Sequence, residues 1–214
     1  MFCVIFDLDG TLIDSEPLCS QAFIDLLPGL DDTVESLMCR YRGHRMADVL
    51  EDLSRRLGYP LGEEFNDRYR THLSTLYDTR LAPMPGVSEV LRRLDRPMCV
   101  ASNGPVAKMH QGLKVSGLDG FFGPNVFSAY DVGRWKPEPH LFLHAASRMG
   151  FEPGRCVVLE DSDAGVAAGR AAGMHVIRFQ PESHGGHSPA AGSSIRHFRE
   201  LEEALQRVAD EISR

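Results

Sequence analysis

Residues 2–11 read FCVIFDLDGT, and this stretch decides how the rest of the chain is interpreted. Residues 2–6 are apolar and rich in aromatic and β-branched side chains, which is typical of a parallel strand buried on both faces. Asp7 and Asp9 stand at positions i and i+2, so a strand would direct both carboxylates to the same side. Two like charges this close repel each other unless a cation lies between them or one carboxyl carries a proton. The stretch therefore indicates a hard-metal site at a strand end, with a plain acidic Asp-Gly turn as the alternative.

The composition limits the classes of partner. The chain has 214 residues, of which 43% are hydrophobic and 25% charged, and its net charge is −7. These fractions are ordinary for a globular protein. The negative charge disfavours binding to nucleic acid and to anionic membranes, since both require a basic surface. We expect a small-molecule ligand instead, and a monomer or weak dimer.

The cysteines and the first residues predict a cytoplasmic location. The chain has 5 cysteines and no CxxC pair, and three of them lie in apolar runs, where cysteine acts as a small core residue. We expect reduced thiols, as in the cytosol. Asp7 follows the first residue so closely that we predict no signal peptide, and no run is long and apolar enough to cross a membrane.

The pattern of the chain changes twice, which predicts two domains. Residues 15–80 carry four amphipathic helical patterns and no strand-like run. From residue 81 onward, helical patterns alternate with short apolar strands, which predicts a parallel sheet with helices on both faces. We therefore predict an α/β, Rossmann-like core of residues 1–14 and 81–214, with an inserted α-helical cap domain of residues 15–80. Residues 181–194 predict a surface loop, and a second metal site at His184, His187 and His197 is a weaker alternative to solvated histidines.

Polar side chains follow each of the next predicted strands, at the sheet edge where folds of this kind bind ligands. Ser102 and Asn103 follow the second strand, Lys136 the third, and Glu160 and Asp161 the fourth. A hydroxyl and an amide before a helix can bind a phosphate oxygen, and a fixed ammonium can hold a phosphoryl group. Each group alone has a plainer explanation as a helix cap or a surface residue. Their occurrence at four successive strand ends favours one shared site.

In this order, the motifs resemble those of the haloacid dehalogenase superfamily. The matching residues are DxDGT at 7–11, then Ser102-Asn103, Lys136-Pro137 and Glu160-Asp161-Ser162-x-x-Gly165. The helical insert resembles the cap of the β-phosphoglucomutase-like branch. More narrowly, residues 102–109 (SNGPVAKM) and 134–137 (RWKP) look like those of bacterial 6-phosphogluconate phosphatases. The resemblance implies a sheet of strand order 3-2-1-4-5 and a phosphatase that uses Mg²⁺.

The resemblance also implies a role for each acid. Asp7 is the nucleophile, which becomes an aspartyl phosphate. Asp9 is the general acid for the leaving alcohol and then the base for water, so it must hold a proton in the first step, which its like-charged neighbour would favour. Asp7, the main-chain carbonyl of Asp9 and Asp161 hold Mg²⁺, and Glu160 orients a metal-bound water.

The remaining residues of the implied site bind the substrate. Ser102, Asn103 and the catalytic Lys136 hold the transferring oxygens, and Thr11 joins the substrate-binding set. In the cap, Arg42 and Arg45 are candidates for the distal anion of the substrate, because arginine binds a carboxylate through two hydrogen bonds. The alternative is that these arginines only solvate a helix surface. The best candidate substrate is 6-phosphogluconate, within the broader class of sugar and sugar-acid phosphates.

Other activities are alternatives to a phosphatase. A dehalogenase has no leaving alcohol to protonate, so Asp9 counts against it. A phosphonoacetaldehyde hydrolase needs a cap lysine for its Schiff base, and residues 15–80 contain none. A β-phosphoglucomutase-type sugar phosphate mutase stays the main alternative. A phospho-accepting signalling module is a remote one, because its phosphorylated aspartate follows a later strand and it lacks a large helical insert.

Overall fold

Six parallel strands form one sheet in a computed structural model that describes residues 1–181 and 193–212. The strand order is β3-β2-β1-β4-β5-β6. The strands are β1 (Cys3–Phe6), β2 (Met98–Ser102), β3 (Val126–Ser128), β4 (Cys156–Glu160), β5 (His175–Phe179) and β6 (Ser193–Ile195). The predicted Rossmann-like sheet with the order 3-2-1-4-5 is confirmed, and β6 adds an edge strand that we did not predict.

The end of the predicted surface loop is the place where sequence and structure differ most. Ser193 and Ser194 belong to β6 instead of the loop, because they pair with Ile177 and Arg178 of β5. His184 and His187 lie outside the described residues. Ile195 is the last residue of β6, and the last helix begins at Leu201.

Four helices occupy residues 15–80, which we call the cap segment: α1 (Glu16–Leu26), α2 (Val34–Tyr41), α3 (Met46–Leu57) and α4 (Glu63–Arg80). Their ends follow local sequence signals. Thr33 and Ser36 cap α2 reciprocally, and Gly58 ends α3 in the left-handed conformation. The division of the chain into two domains at residues 14 and 80 stays a prediction.

The other helices cover the two faces of the sheet. They are α5 (Val87–Arg93), α6 (Val106–Val115), α7 (Asp119–Phe122), α8 (Ala129–Val132), α9 (His140–Met149), α10 (Asp163–Ala171) and α11 (Leu201–Ile212). Within the ranges described, no helix combines the length and the apolar character that a membrane span requires.

Alternate residues of β1 enter two hydrophobic clusters on opposite faces of the sheet. Val4 and Phe6 lie in a cluster that continues into the cap segment, whereas Cys3 and Ile5 lie in a second cluster. All four side chains are fully buried. The alternation follows the two-residue period of a strand, and burial on both faces explains why this stretch is apolar throughout.

The sheet brings the polar strand ends together. Phe6 is level with Val100 of β2 and with Leu159 of β4, so Asp7, Ser102 and Glu160 follow at the same edge. The Asp7 amide donates to the Leu159 carbonyl at 2.9 Å, which extends the pairing by one residue. Because the strand order reverses at β1, this edge is the switch point where doubly wound sheets bind ligands.

Helix α10 begins so close to the end of β4 that position 165 has room only for glycine. A Cβ atom at Gly165 would lie 1.9 Å from the Glu160 carboxylate. Ser162 Oγ accepts from the Gly165 amide at 3.0 Å and donates to Glu160 Oε1 at 2.8 Å. The start of α10 therefore fixes the position of Glu160.

We expect Gly165→Ala to lower the free energy of unfolding by about 1–3 kcal/mol, because the added methyl group must displace the Glu160 carboxylate. Gly154→Ala is the control, since a Cβ atom there would meet no atom within 4 Å. The control should stay within about 0.5 kcal/mol of the parent protein. Urea unfolding followed by circular dichroism measures both, and equal stability of the two variants would contradict this packing.

Candidate active site

A cavity of about 690 Å³ lies between the carboxyl ends of the strands and the cap segment. Residues of α1, α2, α4 and the loop 42–45 line its cap side. Its sheet side contains nearly all of the residues that the motifs singled out, namely Asp7, Asp9, Ser102, Asn103, Lys136, Glu160 and Asp161. The structure therefore brings the four motifs to one place.

Lys136 lies at the centre of the sheet side. Its Nζ donates to Asp7 Oδ1 at 2.5 Å and to Glu160 Oε2 at 2.7 Å, and its side chain is only 3% exposed. Burial alone would lower the pKa of Lys136, but the charges of Asp7 and Glu160 raise it above its ordinary value. The lysine is therefore a fixed ammonium, as the sequence indicated.

Asn103 and Ser102 organise the neighbouring backbone. Asn103 Oδ1 accepts from the Lys136 amide at 3.0 Å, which holds the segment that carries the ammonium. Ser102 Oγ accepts from the Gly104 amide at 3.0 Å, and Ser102 is buried against the cavity. Both residues line the cavity, and their binding of phosphate stays a prediction.

Asp7, Glu160 and Asp161 form a compact buried cluster whose carboxylate oxygens lie within 4.8 Å of one another. Burial and the neighbouring charge of Glu160 raise the pKa of Asp7 to about 8, in spite of Lys136. Burial, together with Glu16, Glu160 and Asp7, also raises the pKa of Asp161 well above its usual range. The positive charge of Lys136 and Arg42 is therefore too small to offset the burial and mutual repulsion of these acids.

The same cluster fits a hard divalent cation. Asp161 Oδ1 accepts from the Thr11 hydroxyl at 3.0 Å, whereas the buried Oδ2 of Asp161 has no hydrogen-bond partner among the described residues. Carboxylate oxygens are preferred ligands of Mg²⁺, and an orphaned buried oxygen leaves a ligand position open. A cation here would favour the ionised form of Asp7 and Asp161.

Thr11 has a different contact from the predicted one. We placed it in the substrate-binding set, but it is fully buried and its hydroxyl donates to Asp161. In this arrangement Thr11 orients a candidate metal ligand and not a substrate oxygen. The reason is the tight turn after β1, in which the Thr11 amide donates back to the Leu8 carbonyl at 3.3 Å.

Asp9 accepts hydrogen bonds from three side chains whose contact with it was not predicted from the sequence. Its Oδ1 accepts from Ser15 Oγ at 2.5 Å, from Lys108 Nζ at 2.8 Å and from the Tyr77 hydroxyl at 3.3 Å. Burial would raise the pKa of Asp9, but the Lys108 ammonium and these hydrogen bonds lower it. Lys108 therefore favours an ionised Asp9 in this state, and the proton that Asp9 must hold in the first step stays a prediction.

Weak signals for these donors exist in the sequence. Lys108 is one of only three lysines in the chain and lies in the SNGPVAKM stretch. Ser15 occupies the N-cap position of α1, where serine is common, but its side chain makes no capping bond. The Ser15 hydroxyl instead donates a hydrogen bond to Asp9.

The loop 42–45 brings two arginines to the cavity. Arg42 Nε donates to the Glu16 carboxylate at 3.0 Å and lies 3.8 Å from Asp161 Oδ2. The Arg45 guanidinium lies 4.8 Å from the centre of the Trp135 ring. Gly43 has a positive φ of +73°, and a Cβ atom there would lie 2.7 Å from Ser162 Cβ. The loop thus rests directly on the sheet edge.

We expect MgCl₂ to raise the melting temperature of the protein, because a ligand that binds only the folded state adds about 2.7 kcal/mol at one hundred times its Kd. Asp161→Asn should lose most of this shift. Asp163→Asn is the matched control, since the Asp163 side chain is 83% exposed and lies outside the cluster. Differential scanning fluorimetry with and without MgCl₂ decides, and an undiminished shift in Asp161→Asn would contradict the assignment of this ligand.

Known proteins resemble the chain over nearly its whole length. It is 34% identical over 201 residues to 6-phosphogluconate phosphatase of Escherichia coli K12, which covers 92% of this chain and 90% of that protein. It is also 34% identical over 181 residues to fructose-1-phosphate phosphatase YqaB of the same organism, with 81% and 94% covered. A solved HAD family hydrolase of Deinococcus radiodurans R1 with bound phosphate and sodium has a TM-score of 0.79 at 30% identity, covering 98% of this chain and 96% of that one.

A comparison with protein families identifies the family of the chain. Residues 2–173 match the haloacid dehalogenase-like hydrolase family, which confirms the resemblance inferred from the four motifs. The relatives with curated functions described above are both named phosphatases. This chain belongs to the haloacid dehalogenase-like hydrolase family.

Proposed function

We propose that the protein is a Mg²⁺-dependent phosphatase that hydrolyses a small phosphorylated metabolite through an aspartyl-phosphate intermediate. The observation that carries the proposal is the buried Lys136 ammonium, 2.5 Å from Asp7 and 2.7 Å from Glu160, beside a cluster that fits a cation. Positive charge fixed next to a carboxylate nucleophile suits the transfer of a phosphoryl group, whose oxygens carry the negative charge.

The residues support a reaction in two halves. In the first, an Asp7 oxygen bonds to phosphorus, the phosphorus–oxygen ester bond breaks, and Asp9 gives its proton to the leaving alcohol. In the second, Asp9 takes a proton from water, the water oxygen bonds to phosphorus, and phosphate leaves Asp7. Asp9 has to take up its first proton as substrate binds, and the negative charge of the phosphoryl group raises the pKa of a neighbouring acid.

The other side chains hold the reacting groups. Ser102, Asn103 and Lys136 surround the space in front of Asp7 and would bind the transferring oxygens. Asp7, the main-chain carbonyl of Asp9 and Asp161 would hold Mg²⁺, with Glu160 beside them. The cation supplies additional neutralisation of charge on the phosphoryl oxygens.

We also propose a sugar-acid phosphate as substrate, with 6-phosphogluconate as the best candidate. The likeness to a 6-phosphogluconate phosphatase supports this choice. The cavity of about 690 Å³ suits a small metabolite. Arg45 lines the cavity and contacts the Trp135 ring, and no ion pair of Arg45 with an acid occurs among the described residues, which supports its role in binding a distal carboxylate.

We expect the protein to release phosphate from a panel of phosphorylated metabolites, and Asp7→Asn to lower the rate at least about a thousandfold, because an amide is too poor a nucleophile to attack phosphorus. Asp163→Asn serves as the control and should keep its activity. Phosphate release and ³¹P NMR follow the reaction. An isomerised sugar phosphate without free phosphate would identify a mutase instead. An active Asp7→Asn variant would contradict the assignment of Asp7 as the nucleophile.

We expect Arg45→Met to raise KM for 6-phosphogluconate about tenfold, since a hydrogen bond between charged groups contributes about 1.5–3 kcal/mol. KM for glucose 6-phosphate, which has no carboxylate, should change little. Arg40→Met is the control, because Arg40 is 52% exposed and contacts Asp52. Equal changes of KM for both substrates would show that Arg45 does not bind the carboxylate.

A further inference from the structure

The two oxygens of Asp9 have unequal surroundings. Oδ1 accepts hydrogen bonds from Lys108, Ser15 and Tyr77. The side-chain hydrogen bonds to Asp9 from the described residues all end on Oδ1, and Asp9 lines the cavity. A carboxylate held at one oxygen presents the other oxygen in a fixed direction, and a proton is passed efficiently only at hydrogen-bonding distance.

The three donors reach Oδ1 from different parts of the chain. Ser15 precedes α1 and Tyr77 lies near the end of α4, and both side chains are fully buried. Lys108 lies on α6, which packs against α4, and its side chain is 23% exposed. Donors that are anchored on three separate elements leave the carboxylate little freedom to rotate.

Lys108 differs from the other two donors in its charge. The Lys108 contact joins two opposite charges, whereas the shorter contact from Ser15 and the one from Tyr77 come from neutral hydroxyl groups. Its Nζ also lies 5.8 Å from the centre of the Tyr77 ring, whose face attracts a cation and favours this position of the side chain. Among the described residues, Lys108 is therefore the charged donor that holds Oδ1.

We propose that Lys108 is a positioning residue for Asp9. By holding Oδ1, it leaves Oδ2 to give a proton to the ester oxygen as the phosphorus–oxygen bond breaks. Oδ2 then takes a proton from the water that attacks the aspartyl phosphate. This inference rests on the proposed phosphatase function and gives Lys108 no contact with the phosphoryl group.

The test compares leaving groups. A sugar alcohol leaves only with a proton, whereas p-nitrophenolate leaves without one. For Lys108→Met we expect kcat/KM to fall about a hundredfold with 6-phosphogluconate and less than about tenfold with p-nitrophenyl phosphate, because general acid catalysis contributes about 10²–10⁴-fold. This parameter reports the steps up to departure of the leaving group. Lys114→Met, on the exposed side of the same helix, should leave both values unchanged.

A double variant separates positioning from a general electrostatic effect. If Lys108 acts through Asp9, adding Lys108→Met to Asp9→Asn should lower kcat/KM for 6-phosphogluconate by no more than about twofold, since effects that share one partner are not additive. Equal losses with both substrates, or a full further loss in the Asp9→Asn background, would overturn the proposal. If Lys108→Met does not fold, Lys108→Gln enters the same comparison.

A crystal structure of Lys108→Met gives a readout that is independent of turnover. We expect the Asp9 carboxylate to rotate or to occupy two conformations. A single unchanged Asp9 conformation would overturn the positioning role, even if the proposed function is correct. Absence of phosphate release from every substrate by the parent protein would instead refute the proposed function, and the orientation of Asp9 would still be decided by the crystal structure.

Discussion

A single buried ammonium holds the acidic end of the sheet together. Lys136 joins Asp7 at the end of β1 to Glu160 at the end of β4. Without a counter-ion, burial of such charges costs several kcal/mol for each ion. The neighbouring contacts depend on this pair of bonds, since Asn103 holds the backbone of Lys136 and Ser162 holds the other oxygen of Glu160. The catalytic geometry is thus the same set of interactions that makes the buried acids tolerable.

The cap segment contacts the acids of the candidate site as well as lining the cavity. Tyr77 of α4 donates to Asp9, and Arg42 lies next to the candidate metal ligand Asp161. One hydrophobic cluster also runs without interruption from β1 into the helices of this segment. The position of the cap segment therefore determines part of the surroundings of Asp9 and Asp161.

The strands and the polar residues at their ends were predictable from local sequence, and the contacts between residues far apart in the chain were not. The apolar run before Asp7 identified β1, because a strand covered on both faces must be apolar, and the polar residues after later strands identified the site. The three-residue strand β6 was missed because its Ser193-Ser194-Ile195 sequence lacks a strand pattern. The pairing of Lys108 with Asp9 depends on how α6 packs, which no local motif encodes. For the same reason the sequence did not reveal that Lys108 lowers the pKa of Asp9, since that pKa depends on burial and charge summed over three elements.

The close approach of Gly43 to Ser162 has a consequence for how this enzyme can change. The space between the loop 42–45 and the sheet edge is too small for one methyl group, so position 43 sets the distance at which the loop rests. Arg42, His44 and Arg45 on either side of it line the cavity. If the loop binds the substrate as proposed, exchange of these flanking side chains would change the substrate preference while the spacing of the loop stays the same. Directed evolution of specificity could therefore vary residues 42, 44 and 45 while Gly43 keeps the loop at the same distance from the sheet edge.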